Sequence, residues 1–233
     1  MTSKKYYEKL IYKFLDELNQ IKGNKIFKML GYSFIALPKV FAPTLSTDTS
    51  WFVEKIIPFV KDKTFLEIGT GTGVIAALAE LNKAKKVIAT DINPIAIKNA
   101  EMNKKNLNLN FNIRIGDIFN PIHKNEIFDI IFWNHPFGCS EKTNLHKDII
   151  NLSVFDYKYK SLIKFLKLAK NHLNSDGKIF LGTSNIAKIN FIKKLIKQEN
   201  YSLTLLCKSI RQSYKNNNVK IDLRIYILEH KKK

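Results

Sequence analysis

Gly69, Gly71 and Gly73 stand at alternate positions directly after the apolar run Phe65-Leu66-Glu67-Ile68, and they mark where this chain could cradle a ligand. Glycine turns sharply at positive φ and lets a ligand approach without meeting a Cβ atom. The residues from Val74 onward read as a helix whose N-terminal N–H groups and positive dipole end would face that ligand. An acid, Asp91, closes the next apolar run, Val87-Ile88-Ala89-Thr90. It lies about 20 residues further on, the spacing at which ribose hydroxyls are held. These features describe a site for a nucleoside-type ligand. A third apolar run, 127–133, ends in Asn134-His135-Pro136-Phe137-Gly138. In an open parallel sheet ligands sit beyond the carboxyl ends of the strands, which would bring this segment beside the glycine turn. Asn, Pro and Gly also favour a plain strand-ending turn.

The glycines can be counted in two registers. From Gly71, the run Gly71-Thr72-Gly73-Val74-Ile75-Ala76 fits the G-x-G-x-x-[GA] fingerprint of nicotinamide and flavin enzymes. From Gly69, it reads Glu67-x-Gly69-x-Gly71-x-Gly73 and resembles motif I of the class I methyltransferases that depend on S-adenosylmethionine (SAM). A pyrophosphate needs hydrogen-bond donors, whereas SAM has no phosphate and carries a sulfonium and an amino group, which an acid at position 67 suits. Glu67 therefore favours SAM, with an NAD(P)-dependent oxidoreductase as the runner-up. The resemblance implies cofactor contacts from Glu67, Gly69, Thr70, Gly71 and Gly73, and from Asp91. It also implies that Asp117, closing Arg114-Ile115-Gly116-Asp117, meets the adenine amino group, while Ile92 and Ile118 sandwich the ring. Asp117 fits a turn or helix cap equally well, and aliphatic residues at strand ends are ordinary core.

The run Asn134-His135-Pro136-Phe137 is similar to the Asn-Pro-Pro-[Tyr/Phe] motif IV of methyltransferases that modify a planar amino or amide nitrogen. Such a nitrogen is a poor nucleophile because its lone pair is delocalised. If the Asn134 side-chain oxygen and the carbonyl of residue 135 accept its two hydrogens, the lone pair can be turned toward the methyl group. Phe137 would then stack on the planar acceptor. No strong base is needed, since positioning alone can supply up to roughly 7–11 kcal/mol. His135 replaces the first proline of the motif, but the acceptor proposed there is a main-chain carbonyl. Preceding Pro136, residue 135 keeps its bias toward extended backbone. Its imidazole is either a general base or a bystander in a turn.

Composition bounds the remaining possibilities. The 233 residues, 45% hydrophobic, suffice for one sizeable α/β domain with a small extension. There is no run of 18 apolar residues, and Met1-Thr2-Ser3-Lys4-Lys5 does not begin a signal-like leader, so no membrane span and a cytoplasmic location are expected. Cys139 and Cys207 are the two cysteines and form no metal-ligand pattern, so no metal is expected. The net charge of +19 favours an anionic macromolecular partner: RNA, DNA or a ribosome-associated protein. Abundant Lys, Asn, Ile and Phe also fit an AT-rich genome, and the basic residues are spread out, with Lys231-Lys232-Lys233 the one run.

The elements that must position these residues alternate as β and α. Apolar side chains at Tyr7, Leu10, Ile11, Phe14, Leu15, Leu18 and Ile21 make one stripe of a docking helix over 4–21. A short strand or hairpin is predicted over 31–43, and 47–52 reads as a capped helix start. Strands are predicted at 64–69, 86–91, 111–117 and 127–133, with helices at 73–82 and 94–105. A helix over 157–173, ending near Asp176-Gly177, leads to strand 178–183, helix 186–199 and terminal strands 201–209 and 219–229, the last two joined at Asn216-Asn217-Asn218. With the motif resemblance, this alternation implies a Rossmann-like class I methyltransferase fold, a seven-stranded mostly parallel sheet flanked by helices, with a helix-and-hairpin extension (1–45) before the SAM-dependent domain (46–233). Gly31 to Val53 resembles the segment preceding motif I in release-factor glutamine methyltransferases and their small-domain relatives that methylate RNA bases. In that region Thr49 would help hold the SAM carboxylate, or cap a helix. Residues 1–45 are shorter than the N-terminal domain of the release-factor enzymes. The 138–156 loop, with Glu141, Lys142 and His146, should form part of the acceptor wall. The reading is a SAM-dependent N-methyltransferase acting on a translation-related protein glutamine or a nucleic-acid base; the alternatives are a small-molecule acceptor, the oxidoreductase and a non-catalytic binding module.

Overall fold

The computed structural model describes residues 3–141, 148–212 and 220–231, with side chains described from Lys9 onward. The Tyr7 side chain, Lys142, His146, Asn216-Asn217-Asn218 and Lys232-Lys233 lie outside the described residues. An N-terminal helix, α1 (Ser3–Asn19), precedes the hairpin β1 (Lys25–Met29) and β2 (Tyr32–Ala36). Helix α2 (Asp48–Ile56) leads to β3 (Thr64–Ile68), α3 (Val74–Leu81), β4 (Lys86–Asp91), α4 (Pro94–Asn106), β5 (Asn112–Ile115) and β6 (Phe128–Asn134). A short pair, β7 (Gly138–Ser140) and β8 (Phe155–Tyr157), precedes α5 (Lys160–Ala169), β9 (Leu173–Ser184), α6 (Ile189–Gln198), β10 (Tyr201–Gln212) and β11 (Lys220–His230).

Seven strands form one sheet in the order β10-β11-β9-β6-β3-β4-β5. β9, β6, β3, β4 and β5 run parallel, and β11 is antiparallel to both of its neighbours. The central strands are covered on both faces, which is why they read as nearly continuous apolar runs rather than alternating ones. On one face, Phe65, Phe132 and Phe180 pack with Trp51, Phe52 and Leu78 of α2 and α3. On the other, Leu66, Ile131 and Ile179 pack with Leu162, Phe165, Ile192 and Ile196 of α5 and α6.

The N-terminal extension is tied to helix α4 by side chains doing the work of a strand. Asn99 Oδ1 accepts from the Leu37 N–H (2.8 Å) and Asn103 Oδ1 from the Ile35 N–H (2.8 Å), while both amides donate back to the Ile35 carbonyl. Helix α1 buries Leu10, Ile11, Phe14, Leu15 and Leu18, the expected stripe, against Ala42, Ile150, Val154 and Phe155.

Several boundaries differ from the sequence reading. Strand 111–117 ends at Ile115, because Gly116 starts a turn packed on Pro121. The helix expected over 157–173 starts only at Lys160, since Tyr159 sits at φ +55, outside right-handed helical space, and Phe155–Tyr157 pairs with β7 as a strand. Asp176 and Gly177 do not follow that helix but lie inside β9, whose pairing with β6 is irregular between Phe128 and Ile130. The helix expected from 186 begins at Ile189. Thr47 does not cap α2 with its side chain; its hydroxyl donates to the Gln212 carbonyl instead.

Candidate active site

The glycine turn is held by its own backbone and by two carboxyl groups. The Thr70 N–H donates to the Thr90 carbonyl (2.9 Å), the Gly73 N–H to the Thr70 carbonyl (2.9 Å) and the Gly71 N–H to Asp91 Oδ2 (2.8 Å). Asp91 Oδ1 accepts from the Asn93 N–H (2.9 Å), so this one side chain joins the turn to the start of α4. Beneath the turn, Glu67 Oε2 accepts from the Thr70 hydroxyl (2.7 Å) and from the Ala76 N–H in α3 (3.0 Å). Gly69 and Gly71 sit at φ +68 and +55, so only glycine fits them without strain.

Burial is the dominant influence on both acids. It raises the Asp91 carboxyl and pushes Glu67 up to about 8, against the pull of the Thr70 and Ala76 hydrogen bonds. Between pH 4.5, where an unfolded glutamate ionises, and about 8, the folded chain keeps a proton that the unfolded chain releases. Stability linked to Glu67 is therefore present below that window and lost as the pH rises through it. Glu67→Gln is expected to flatten this fall in a plot of melting temperature against pH; an unchanged slope would contradict the assignment.

Apart from Gly73, every residue expected to touch the cofactor or the acceptor nitrogen lines one cavity of about 460 Å³, whereas Glu141, expected in the acceptor wall, is exposed outside it. That size is usual for a small-molecule site. Gly73 is a packing residue: a Cβ there would lie 2.8 Å from the Ala100 Cβ, so it lets α3 approach α4. Asp117 lines the cavity, but its Oδ2 is held by Lys164 Nζ at 2.6 Å, and its carbonyl accepts the Asn120 N–H of a turn. Ile92 is 39% exposed at the cavity wall and Ile118 is buried at φ +55. Thr49 is buried beside Asp48, whose Oδ1 accepts the Thr49 N–H. Asp48 also lines the cavity, and burial raises its carboxyl. Nothing in its spacing marked it.

Asn134 closes β6, paired across the sheet with Gly182 of β9. Its Oδ1 is buried without a hydrogen-bond partner among the described residues, an arrangement that costs about 1–3 kcal/mol unless a donor arrives. Room for the side chain depends on Gly182, where a Cβ would stand 3.1 Å from Asn134 Oδ1 and 2.7 Å from the Phe52 ring. Gly182→Ala is therefore expected to displace Asn134 and to lower turnover about tenfold or more with ligand binding at the glycine turn retained, measured by kinetics and calorimetry together.

His135 is buried, and burial lowers its imidazole to about 4, so the ring is neutral near pH 7. Its Nε2 lies 3.0 Å from Thr183 Oγ1, which anchors residue 135 to β9. Tyr159 holds the next part of the segment, donating from its hydroxyl to the Phe137 carbonyl (3.2 Å) while accepting the Lys188 N–H (2.9 Å). The 134–137 segment is thus fixed from below at two points.

The far wall is apolar. Ile11 and Phe14 of α1, Phe41, Ile150, Val154 and Phe155 reach the cavity, so the extension supplies part of the site. Sequence reasoning placed α1 as a docking helix but did not bring it to the ligand. Among the described residues no three His, Cys, Asp or Glu side chains are grouped to hold a metal, and no helix is long and apolar enough to cross a membrane.

The family model described as a methyltransferase domain matches residues 59–228. A Methanocaldococcus jannaschii protein named as a candidate protein N5-glutamine methyltransferase is 29% identical over 176 residues, which is 73% of this chain and 87% of that protein. The release factor glutamine methyltransferase of Koribacter versatilis is 32% identical over 121 residues, 50% of this chain; the match spans 42% of that relative's own length. In fold, the chain resembles a T. thermophilus 16S rRNA N2 methyltransferase solved with AdoMet and guanosine, with a TM-score of 0.66 at 17% identity over 89% of this chain and 50% of that one.

Proposed function

Because the chain belongs to the methyltransferase-domain family, we propose that it transfers a methyl group from SAM to a planar amide or amino nitrogen of a macromolecule, a translation-related protein glutamine or a nucleic-acid base. When bound, SAM supplies an electrophilic methyl group on a sulfonium. The observation that carries the reading is the unpartnered Asn134 Oδ1 at the cavity beside the glycine turn. A primary amide or exocyclic amine brings the donor that this oxygen lacks.

The turn itself favours SAM over a dinucleotide. The N–H groups of Thr70, Gly71 and Gly73 are spent on protein acceptors, and Glu67 and Asp91 flank the turn with carboxyl groups. A pyrophosphate would find few donors there and acids close by; a cation over the same turn favours the ionised form of Glu67. Asp91 has lone pairs left for ribose hydroxyls, and Ile92 and Ile118 offer apolar surface for adenine.

At the acceptor end, Asn134 Oδ1 and the carbonyl of residue 135 take the two N–H groups, and Phe137 packs on the acceptor plane. Aimed acceptors stabilise the positive charge that develops on the nitrogen. His135 acts by position, through Thr183, because a neutral buried imidazole with so low a pKa holds a proton poorly at pH 7. The test is to incubate the protein with methyl-labelled SAM and a cell extract, then separate protein, nucleic acid and small molecules. Label confined to small molecules, or no label at all, would overturn the reading.

A further inference from the structure

One face of the molecule plays no part in holding SAM or the acceptor nitrogen, yet it begins at the cavity. Tyr157, Lys160 and Ser161 line the cavity and lead directly into α5. Helix α6 lies on the same side of the sheet, sharing the core of Leu162, Phe165, Leu166, Ile192 and Ile196. The two helices themselves carry lysines and no acid. From Lys158 to Gln198 the chain has ten lysines and a single acid, Asp176.

Three of those lysines meet acids: Lys164 with Asp117, Lys178 with Glu229 and, at 4.0 Å, Lys188 with Glu141. Lys158, Lys160, Lys167, Lys170, Lys193, Lys194 and Lys197 are exposed, and none forms an ion pair among the described residues. Like charges gathered on one face repel each other and cost stability, unless an anion neutralises them. A compositional drift toward lysine would scatter charges without clearing the acids from two neighbouring helices.

Aromatic rings stand at the cavity end of this face. Lys158 and Lys160 lie 5.4 and 5.0 Å from the ring centre of Tyr157. Phe191, 42% exposed, stacks on Tyr159 at 6.0 Å, and Tyr159 in turn holds the Phe137 carbonyl. Basic tracks interleaved with accessible rings are how proteins hold single-stranded nucleic acid, whose phosphates follow the charge while its bases stack.

We propose that the α5–α6 lysine face, with Tyr157 and Phe191 at its cavity end, docks a single-stranded nucleic acid and delivers a base to Asn134. Delivery to Asn134 rests on the methyl-transfer reading above; docking on the face does not. A single strand suits the site because its bases are free to enter a cavity, whereas a paired base must first be extruded.

The test is the affinity of mixed-sequence single-stranded RNA and DNA oligonucleotides, followed by fluorescence anisotropy from 50 to 200 mM salt. Neutralising five phosphates of a single strand gives a log–log slope of about −3.5, a loss of about 100-fold over that range. Changing Lys167, Lys170, Lys193, Lys194 and Lys197 to Gln is expected to bring the slope near zero and weaken low-salt binding by about two orders of magnitude. A control changing Lys61, Lys83, Lys85, Lys98 and Lys105 to Gln is expected to keep most of both. RNA bound more tightly than DNA would point to RNA as the natural strand, and equal binding to a backbone-tracking mode; either supports the face. Equal losses in the two variants would reduce the effect to overall charge and overturn the proposal. So would labelling of a protein acceptor that the face variant leaves unchanged. SAM affinity, measured by calorimetry, is expected to be the same in both variants; a wild-type chain that binds oligonucleotide but not SAM would sink the transfer reading and leave the face standing.

Discussion

Asn134→Ala abolishes methyl transfer, with turnover falling by about 100-fold to 1000-fold, while SAM affinity is unchanged: that is the result expected if the acceptor nitrogen is held as described. Loss of one well-aimed polar partner in a preorganised site has effects of this order. The side chain lies at the end of a buried strand, its Oδ1 makes no bond among the described residues, and removing it breaks no link seen there. Stability should therefore hold or rise slightly, since a buried unpaired carbonyl goes with it. Single-turnover kinetics with labelled SAM, paired with calorimetry, separates the two readouts. Full turnover in this variant would mean that the acceptor nitrogen is oriented by other groups. Equal loss of SAM binding and turnover would mean that Asn134 serves the cofactor side instead.

Asp91→Ala is expected to produce the opposite division, a loss of SAM affinity of about 100-fold or more. Two backbone donors, the Gly71 and Asn93 N–H groups, close on this carboxyl at 2.8 and 2.9 Å. Hydrogen bonds to charged groups contribute about 1.5–3 kcal/mol each, so the loss loosens the glycine turn and removes the proposed ribose partner together. Asp91→Asn discriminates further. It keeps one oxygen and the shape, and is expected to fall between wild type and alanine. Calorimetric titration with SAM gives the affinities directly, and an alanine variant with wild-type affinity would remove Asp91 from the cofactor site.

What the sequence could disclose follows from what each residue answers to. Strands β3, β4 and β6 are read to within a residue because they are buried on both faces, and burial there leaves an unbroken apolar signature. The hairpin strand β1 lacks that signature: Lys25, Ile26 and Lys28 face outward, and its order comes from pairing with β2, itself held by Asn99 and Asn103 from far along the chain. Tyr159 falls within the helix expected over 157–173, whereas its φ of +55 goes with the Phe137 and Lys188 contacts. Asp176-Gly177 looks like a helix stop on local chemistry, yet a register irregularity carries both into β9.

The site shows the same division. Local motifs located the glycine turn, Asp91 and the 134–137 segment, since each is defined by neighbours in sequence. Gly73 belongs to the same motif but is spent on helix packing, a role fixed by Ala100. Gly182, Asp48 and the Ile11–Phe14 edge of α1 reach the site only through tertiary contact, and no spacing rule points to them.

Strand β11 sits between β9 and β10, sending Leu223 and Ile225 into one core and Tyr226 and Leu228 into the other. During synthesis from the N-terminus, the glycine turn, Asp91 and Asn134 all emerge long before β11, which covers the edge of β9 away from β6. Until it arrives, a nascent chain carries the residues for chemistry with an open sheet edge and unfilled cores, the state most exposed to wrong pairing.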